Sequence, residues 1–164
     1  MNAIDYMIRT EEDGLRLYEM LSYETSDREL KEIFELLAER QRNHLGGLET
    51  LKESVGPSDA ESGLVERARG LENGFRRLLD SHDIIHELKN DHDAFFHILK
   101  AEEETIQLLE GMAKAETKEN TRTLLERIAE DEKAHLSNIE NIYEFIEAPR
   151  TYLEWGEFPN LHPL

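Results

Sequence analysis

Apolar residues recur at intervals of three and four along four long stretches of this chain, the period of a helix with one buried face. The first stretch covers about residues 3 to 24, with Ile4, Ile8, Leu15 and Tyr18 on one stripe and Asn2 in place to cap it. The second covers about 28 to 54, through Leu30, Phe34, Leu37, Leu48 and Leu51. The third covers about 93 to 115, through Phe95, Leu99, Ile106 and Leu109. The fourth covers about 119 to 147, through Leu125, Ile128, Ile139 and Ile142.

Short polar turns, "YETSDREL" and "AETKENTR", join the first stretch to the second and the third to the fourth. Turns this short make antiparallel helix pairs. A longer connector, about 56 to 91, links the pairs and opens on the breaker Gly56-Pro57-Ser58-Asp59. Within it Leu64, Ala68, Leu71, Phe75 and Leu78 suggest a crossover helix, against which Gly70 and Gly74 weigh. Pro149 is expected to end the fourth helix, leaving residues 149–164 as an irregular tail behind a bundle domain of residues 1–148.

The chain repeats itself. Displaced by 91 positions, residues 9–51 fall on 100–142 without a gap, and ten of the 43 pairs are identical, Glu11/Glu102 and His44/His135 among them. Two copies of one helical hairpin should pack about a pseudo-twofold axis. The expected fold is all-α: an antiparallel four-helix bundle with one long crossover.

Polar residues interrupt each apolar stripe near its middle. They are Glu11, Gln41 with His44, Glu102, and Glu132 with His135, and the repeat aligns 11 with 102, 41 with 132 and 44 with 135. In a closed bundle they meet at one level of the interior. Unpaired buried carboxylates cost several kcal/mol each, and neighbouring ones repel. A bound dication removes both penalties, and carboxylate with imidazole suits iron, manganese or zinc. Glu132 and His135 are three apart and aim at one point. One Glu from each of two helices with Glu-x-x-His from the others is the pattern of di-iron carboxylate bundles. Glu12 and Glu103 also repeat and are the alternatives in register.

With these residues in place, the chain resembles the ferritin-like proteins of the rubrerythrin type. The matching pieces are "TEEDGLRLY", "AERQRNHL", "AEEETIQLL" and "AEDEKAHL", and the resemblance spans about residues 3 to 147. It implies a non-haem di-iron centre that reacts with hydrogen peroxide or dioxygen, in a homodimer or higher homo-oligomer. It also suggests Tyr18 as a partner of a ligand. Three departures stand out. The chain has no cysteine, so there is no rubredoxin-like module and any electron donor is a separate protein or absent. Thr105 stands where rubrerythrins proper often carry a second Glu. Gln41 stands where the family has a Glu that would bridge the two metals. Glu11, Glu102 and Glu132 carry −3, so two dications would leave +1 in the core and one would leave −1. One metal is expected to bind well and the second weakly, or only with an added anion. The alternative is a protein that binds or sequesters metal without turnover.

Other features change the picture less. Asp131 could orient the imidazole of His44, and a surface role serves it equally. His82, His86, His92 and His97 cluster before and in the third helix; His82 and His86, four apart, could bind a metal, but a solvated helix end explains the cluster better. Arg67, Arg69, Arg76 and Arg77 make the connector locally basic, which suits salt bridges to an acidic bundle or docking of an acidic donor. Tyr152, Trp155 and Phe158 are expected to latch onto the bundle or a neighbouring subunit. A net charge of −18 disfavours nucleic acid and anionic membranes. No apolar run is long enough to span a bilayer, and "MNAIDYMIRTEED" lacks the basic and apolar regions of a signal peptide. The expected setting is the cytoplasm.

Overall fold

Two of the helices start on a side chain that caps them. Asp27 accepts from the backbone N–H groups of Glu29 and Leu30 at 2.9 and 3.0 Å, which caps the second helix. Asn73 does the same for Arg76 at 2.9 Å. The computed structural model describes residues 3–54, 73–81, 86 and 95–157, with side chains as far as 144. Among them are five helices: α1 (Ala3–Glu24), α2 (Arg28–Ser54), α3 (Gly74–Asp80), α4 (Phe95–Ala115) and α5 (Glu119–Glu157). The described residues contain no strand. None of their helices is long and apolar enough to cross a membrane.

Burial divides the core into two apolar clusters. One holds Leu17, Tyr18, Leu21, Leu30, Phe34, Leu37, Phe75, Phe95, Ile98 and Ile139. The other holds Ile4, Met7, Leu48, Leu109, Met112, Leu125 and Ile128. On each long helix a fully buried carboxylate or amide lies in sequence between the two sets: Glu11, Gln41, Glu102 and Glu132. All four are buried, at 0, 0, 1 and 0% exposure. The polar layer is therefore sealed above and below by hydrocarbon.

The same clusters give the helix directions. α1 and α5 run from the second cluster to the first, whereas α2 and α4 run from the first to the second. The hairpins are antiparallel, and the link from α2 to α4 must return along the length of the bundle. α1 packs on α2, α4 packs on α5, and α3 lies against α1 and α4.

The crossover helix is described over Gly74–Asp80, and Phe75 and Leu78 are buried as expected. Leu64, Ala68 and Leu71 fall outside the described residues, as does the Asn2 cap. Gly74 opens α3, because a Cβ there would stand 2.8 Å from the Cα of Ala101. The glycine marks a close approach of backbones instead of a break. The fourth helix corrects the expectation at Pro149: α5 runs on to Glu157. Proline's fixed φ is itself helical, so the ring costs one hydrogen bond and a local clash without forcing the chain to turn. The side chains of Tyr152 and Trp155, and all of Phe158, lie outside the described residues.

Candidate metal centre

The helical period turns Glu11 and Glu102 inward and leaves their repeated neighbours Glu12 and Glu103 exposed. The register is thereby fixed. Around the inward pair gather Gln41 and His44 of α2 and Glu132 and His135 of α5. Nδ1 of His44 lies 3.2 Å from Oε2 of Glu11, and Nε2 of the same ring lies 3.3 Å from Oε1 of Glu132. Nε2 of His135 lies 3.4 Å from Oε1 of Glu102. The two imidazoles face each other with centroids 6.2 Å apart.

These separations carry chemical information. Two ligands bound to one metal at about 2.1 Å, at angles between octahedral and tetrahedral, stand about 3.0–3.4 Å apart. One ligand atom from each of Glu11, His44 and Glu132 falls within 4.8 Å of the other two.

The hydrogen-bond accounting points the same way. Oε1 of Glu11, Oε1 of Gln41, Oε2 of Glu102, both carboxylate oxygens of Glu132 and Nε2 of His135 are buried without a hydrogen-bond partner. Buried polar atoms are ordinarily satisfied. Six orphaned atoms, all oxygen or imidazole nitrogen and all in one layer, fit a divalent cation of the iron, manganese or zinc kind.

Electrostatics shows what the layer costs without one. Burial, and then the charge of Glu102, pushes Glu11 up to about 8. Burial, and then the charge of Glu11, pushes Glu132 up to about 9. Burial alone would lower His135, but its contact with Glu102 and the charges of Glu102 and Glu11 outweigh that and raise it. The cluster holds protons where a metal would take their place.

The remaining residues have definite places. Gln41 is a hydrogen-bond donor: its Nε2 gives to Oε2 of Glu11 and, at 3.3 Å, to the backbone carbonyl of Glu11. Its Oε1 stays free in the layer. Tyr18, fully buried, donates to Oε1 of Glu102 at 3.1 Å. Burial and the charge of Glu102 raise its phenol well above the usual range. Thr105 turns its hydroxyl back to the Ala101 carbonyl at 3.1 Å and adds no ligand.

Asp131 does not orient His44. It is exposed, and both nitrogens of that ring already face Glu11 and Glu132. His86 and His97 are exposed, and His82 and His92 lie outside the described residues. Arg77 pairs with Glu104, and Arg76 approaches Asp13 at 3.8 Å. Arg67 and Arg69 are outside the described residues.

Two supporting residues were not singled out from the sequence. A Cβ on Gly14 would come within 2.9 Å of the Gln41 amide nitrogen and 3.5 Å of the Phe75 ring. The missing side chain is the space Gln41 occupies. The repeat carries a signal for it, since position 14 aligns with Thr105 and position 41 with Glu132. Asp13, nearly buried, accepts from Asn73 at 2.9 Å and so holds the start of α3 beside the site.

Comparison with known proteins agrees with this construction. The family model described as Rubrerythrin matches residues 2–143. Neither the curated proteins nor the solved structures provide a match. With two helical hairpins, a buried carboxylate and histidine layer and a family match over both, this chain belongs to the rubrerythrin family of the ferritin-like superfamily.

Proposed function

We propose that the protein is a non-haem iron protein that carries out redox chemistry on hydrogen peroxide or dioxygen, with two unequal metal positions. The layer of six orphaned buried ligand atoms carries this reading. The stronger position uses Glu11, His44 and Glu132, whose ligand atoms already converge. The weaker uses Glu102 and His135 with Glu132 and the free Oε1 of Gln41. Ferrous iron, when bound, supplies the electrons that reduce an oxygen–oxygen bond.

The chain's own residues do the rest. The two apolar clusters exclude bulk water and so strengthen each charge interaction in the layer. Gln41 donates to Oε2 of Glu11 and leaves Oε1 without a partner, open to a metal. Tyr18 holds Glu102 by one oxygen and leaves the other. Its hydroxyl is also the proton donor nearest that carboxylate. Electrons come from a separate donor protein, and the subunits assemble as a homodimer or higher homo-oligomer.

Metal analysis of protein purified without chelator tests the reading. About one tightly held iron per chain supports it, and two tightly held irons overturn the inequality of the two positions. A second reading, metal binding or sequestration without turnover, is favoured by the neutral amide of Gln41 at the bridging place. Oxidation of the ferrous protein by peroxide, followed by turnover with a reductant, separates the two.

A further inference from the structure

We propose that the groove between α2 and α5 is the route by which small solutes reach the metal centre. A hydrated dication would use it when the site loads, and a molecule the size of hydrogen peroxide afterwards. The inference rests on the metal-centre reading above. The groove encloses about 390 Å³, and its lining includes His44, Gly47, Thr50, Arg127, Ile128 and Asp131.

His44 is where the groove meets the buried layer. Its side chain is 22% exposed, against 10% for His135, 1% for Glu102 and 0% for Glu11 and Glu132. It is thus the ligand most open to solvent, and its inner side already touches two carboxylates.

The walls suit passage better than binding. The hydroxyls of Thr50 and Ser54 give their hydrogens to the carbonyls of Gly46 and Leu51, and their neutral oxygens offer a dication only weak contacts on its way. Asp131 is the one carboxylate among the described lining residues, and Arg127 sets a positive charge in the same lining. A lone carboxylate beside a guanidinium is a weak resting place for a dication. The net charge of −18 still concentrates cations near the surface.

The lining draws on both copies of the repeat, but its glycine belongs to the first. Gly46 and Gly47 align with Ser137 and Asn138 of the second copy. A Cβ at either glycine would meet nothing within 4 Å, so the space is open and a larger residue fits there without displacing backbone. Gly47 lines the groove and Gly46 does not.

The test is the kinetics of Co²⁺ uptake by the metal-free protein and of its extraction by a chelator, followed by visible absorption. Gly47→Phe should slow uptake and extraction by the same factor, at least about tenfold, with the equilibrium affinity unchanged, because a barrier on a path alters both directions equally. Gly46→Phe, the same ring outside the groove, should leave both rates as they are. Equal rates in Gly47→Phe and wild type overturn the route, and so does a change in affinity with one rate unaltered. A wild-type protein that takes up no Co²⁺ overturns the metal centre itself, and the route with it.

Discussion

Gln41 donates its amide hydrogen to the carboxylate of Glu11, across the interface of α1 and α2 and between two fully buried side chains. Where a bridging carboxylate would repel Glu11, this chain has a donor that holds it. The substitution therefore does two things at once. It removes one negative charge from the layer, and it ties one ligand of the first metal position.

Gln41→Glu should reverse both effects. In the metal-free protein it replaces a donor with a fourth carboxyl group beside Glu11, and the melting temperature should fall by the equivalent of about 1–3 kcal/mol. With metal present, four carboxylates balance two dications, and metal analysis should find a second ion per chain. A variant that holds no more metal than wild type would show that the charge deficit is not what limits the second position.

Gly14 is the steric partner of Gln41. Gly14→Ala puts a methyl group 2.9 Å from the amide nitrogen and against the Phe75 ring. Overpacking of this kind costs about 1–3 kcal/mol, more than the helix propensity that alanine gains. In a Gln41→Ala background the methyl group should be tolerated. A double-mutant cycle by denaturant unfolding should give a coupling of about 1 kcal/mol or more.

How much of this centre could be read in advance depends on how local each signal is. The helix spans of α1 and α2 follow from the period and from the polar turn between them. The inward register of Glu11 over Glu12 follows once four stripes must close on one level. The role of Gln41 as donor to Glu11 did not follow, because an amide can accept or donate and only the facing helix decides. Asp131 looked able to reach His44 along the repeat, but Asp131 is exposed and the ring's two nitrogens face Glu11 and Glu132. Pro149 misled for a different reason: proline is a statistical terminator, and its φ is compatible with the helix it usually ends. The approach of Gly74 to Ala101 joins residues on α3 and α4, and no local pattern encodes it.

Bound metal should remove the fall of stability with rising pH. In the metal-free protein Glu11 and Glu132 titrate near 8 and 9, above the ordinary carboxylate value of 4.5. Groups raised on folding stabilise fully below their unfolded value, and that stability is lost as pH climbs toward the folded one. The metal-free protein should therefore lose stability steadily between pH 4.5 and about 9, as followed by thermal unfolding. With saturating Co²⁺ the carboxylates must be deprotonated to bind, so the gain in melting temperature on adding metal should grow over the same window. A metal-free protein whose stability rises across that window would show that these carboxylates are charged and paired in some other way.

Tyr18→Phe separates the second metal position from the first. The ring's place beside Phe75 is kept, with centroids 6.2 Å apart in wild type, while the hydroxyl that holds Oε1 of Glu102 is lost. Glu102 then has His135 alone beside that oxygen, and leaving a buried acceptor without its donor costs about 1–3 kcal/mol. The loss should appear as weaker binding in the second phase of a Co²⁺ titration. The first phase, at Glu11, His44 and Glu132, should be unchanged, because Tyr18 touches none of the three at hydrogen-bond distance among the described contacts. Equal weakening of both phases would mean that Tyr18 supports the layer as a whole and that the two positions are not independent.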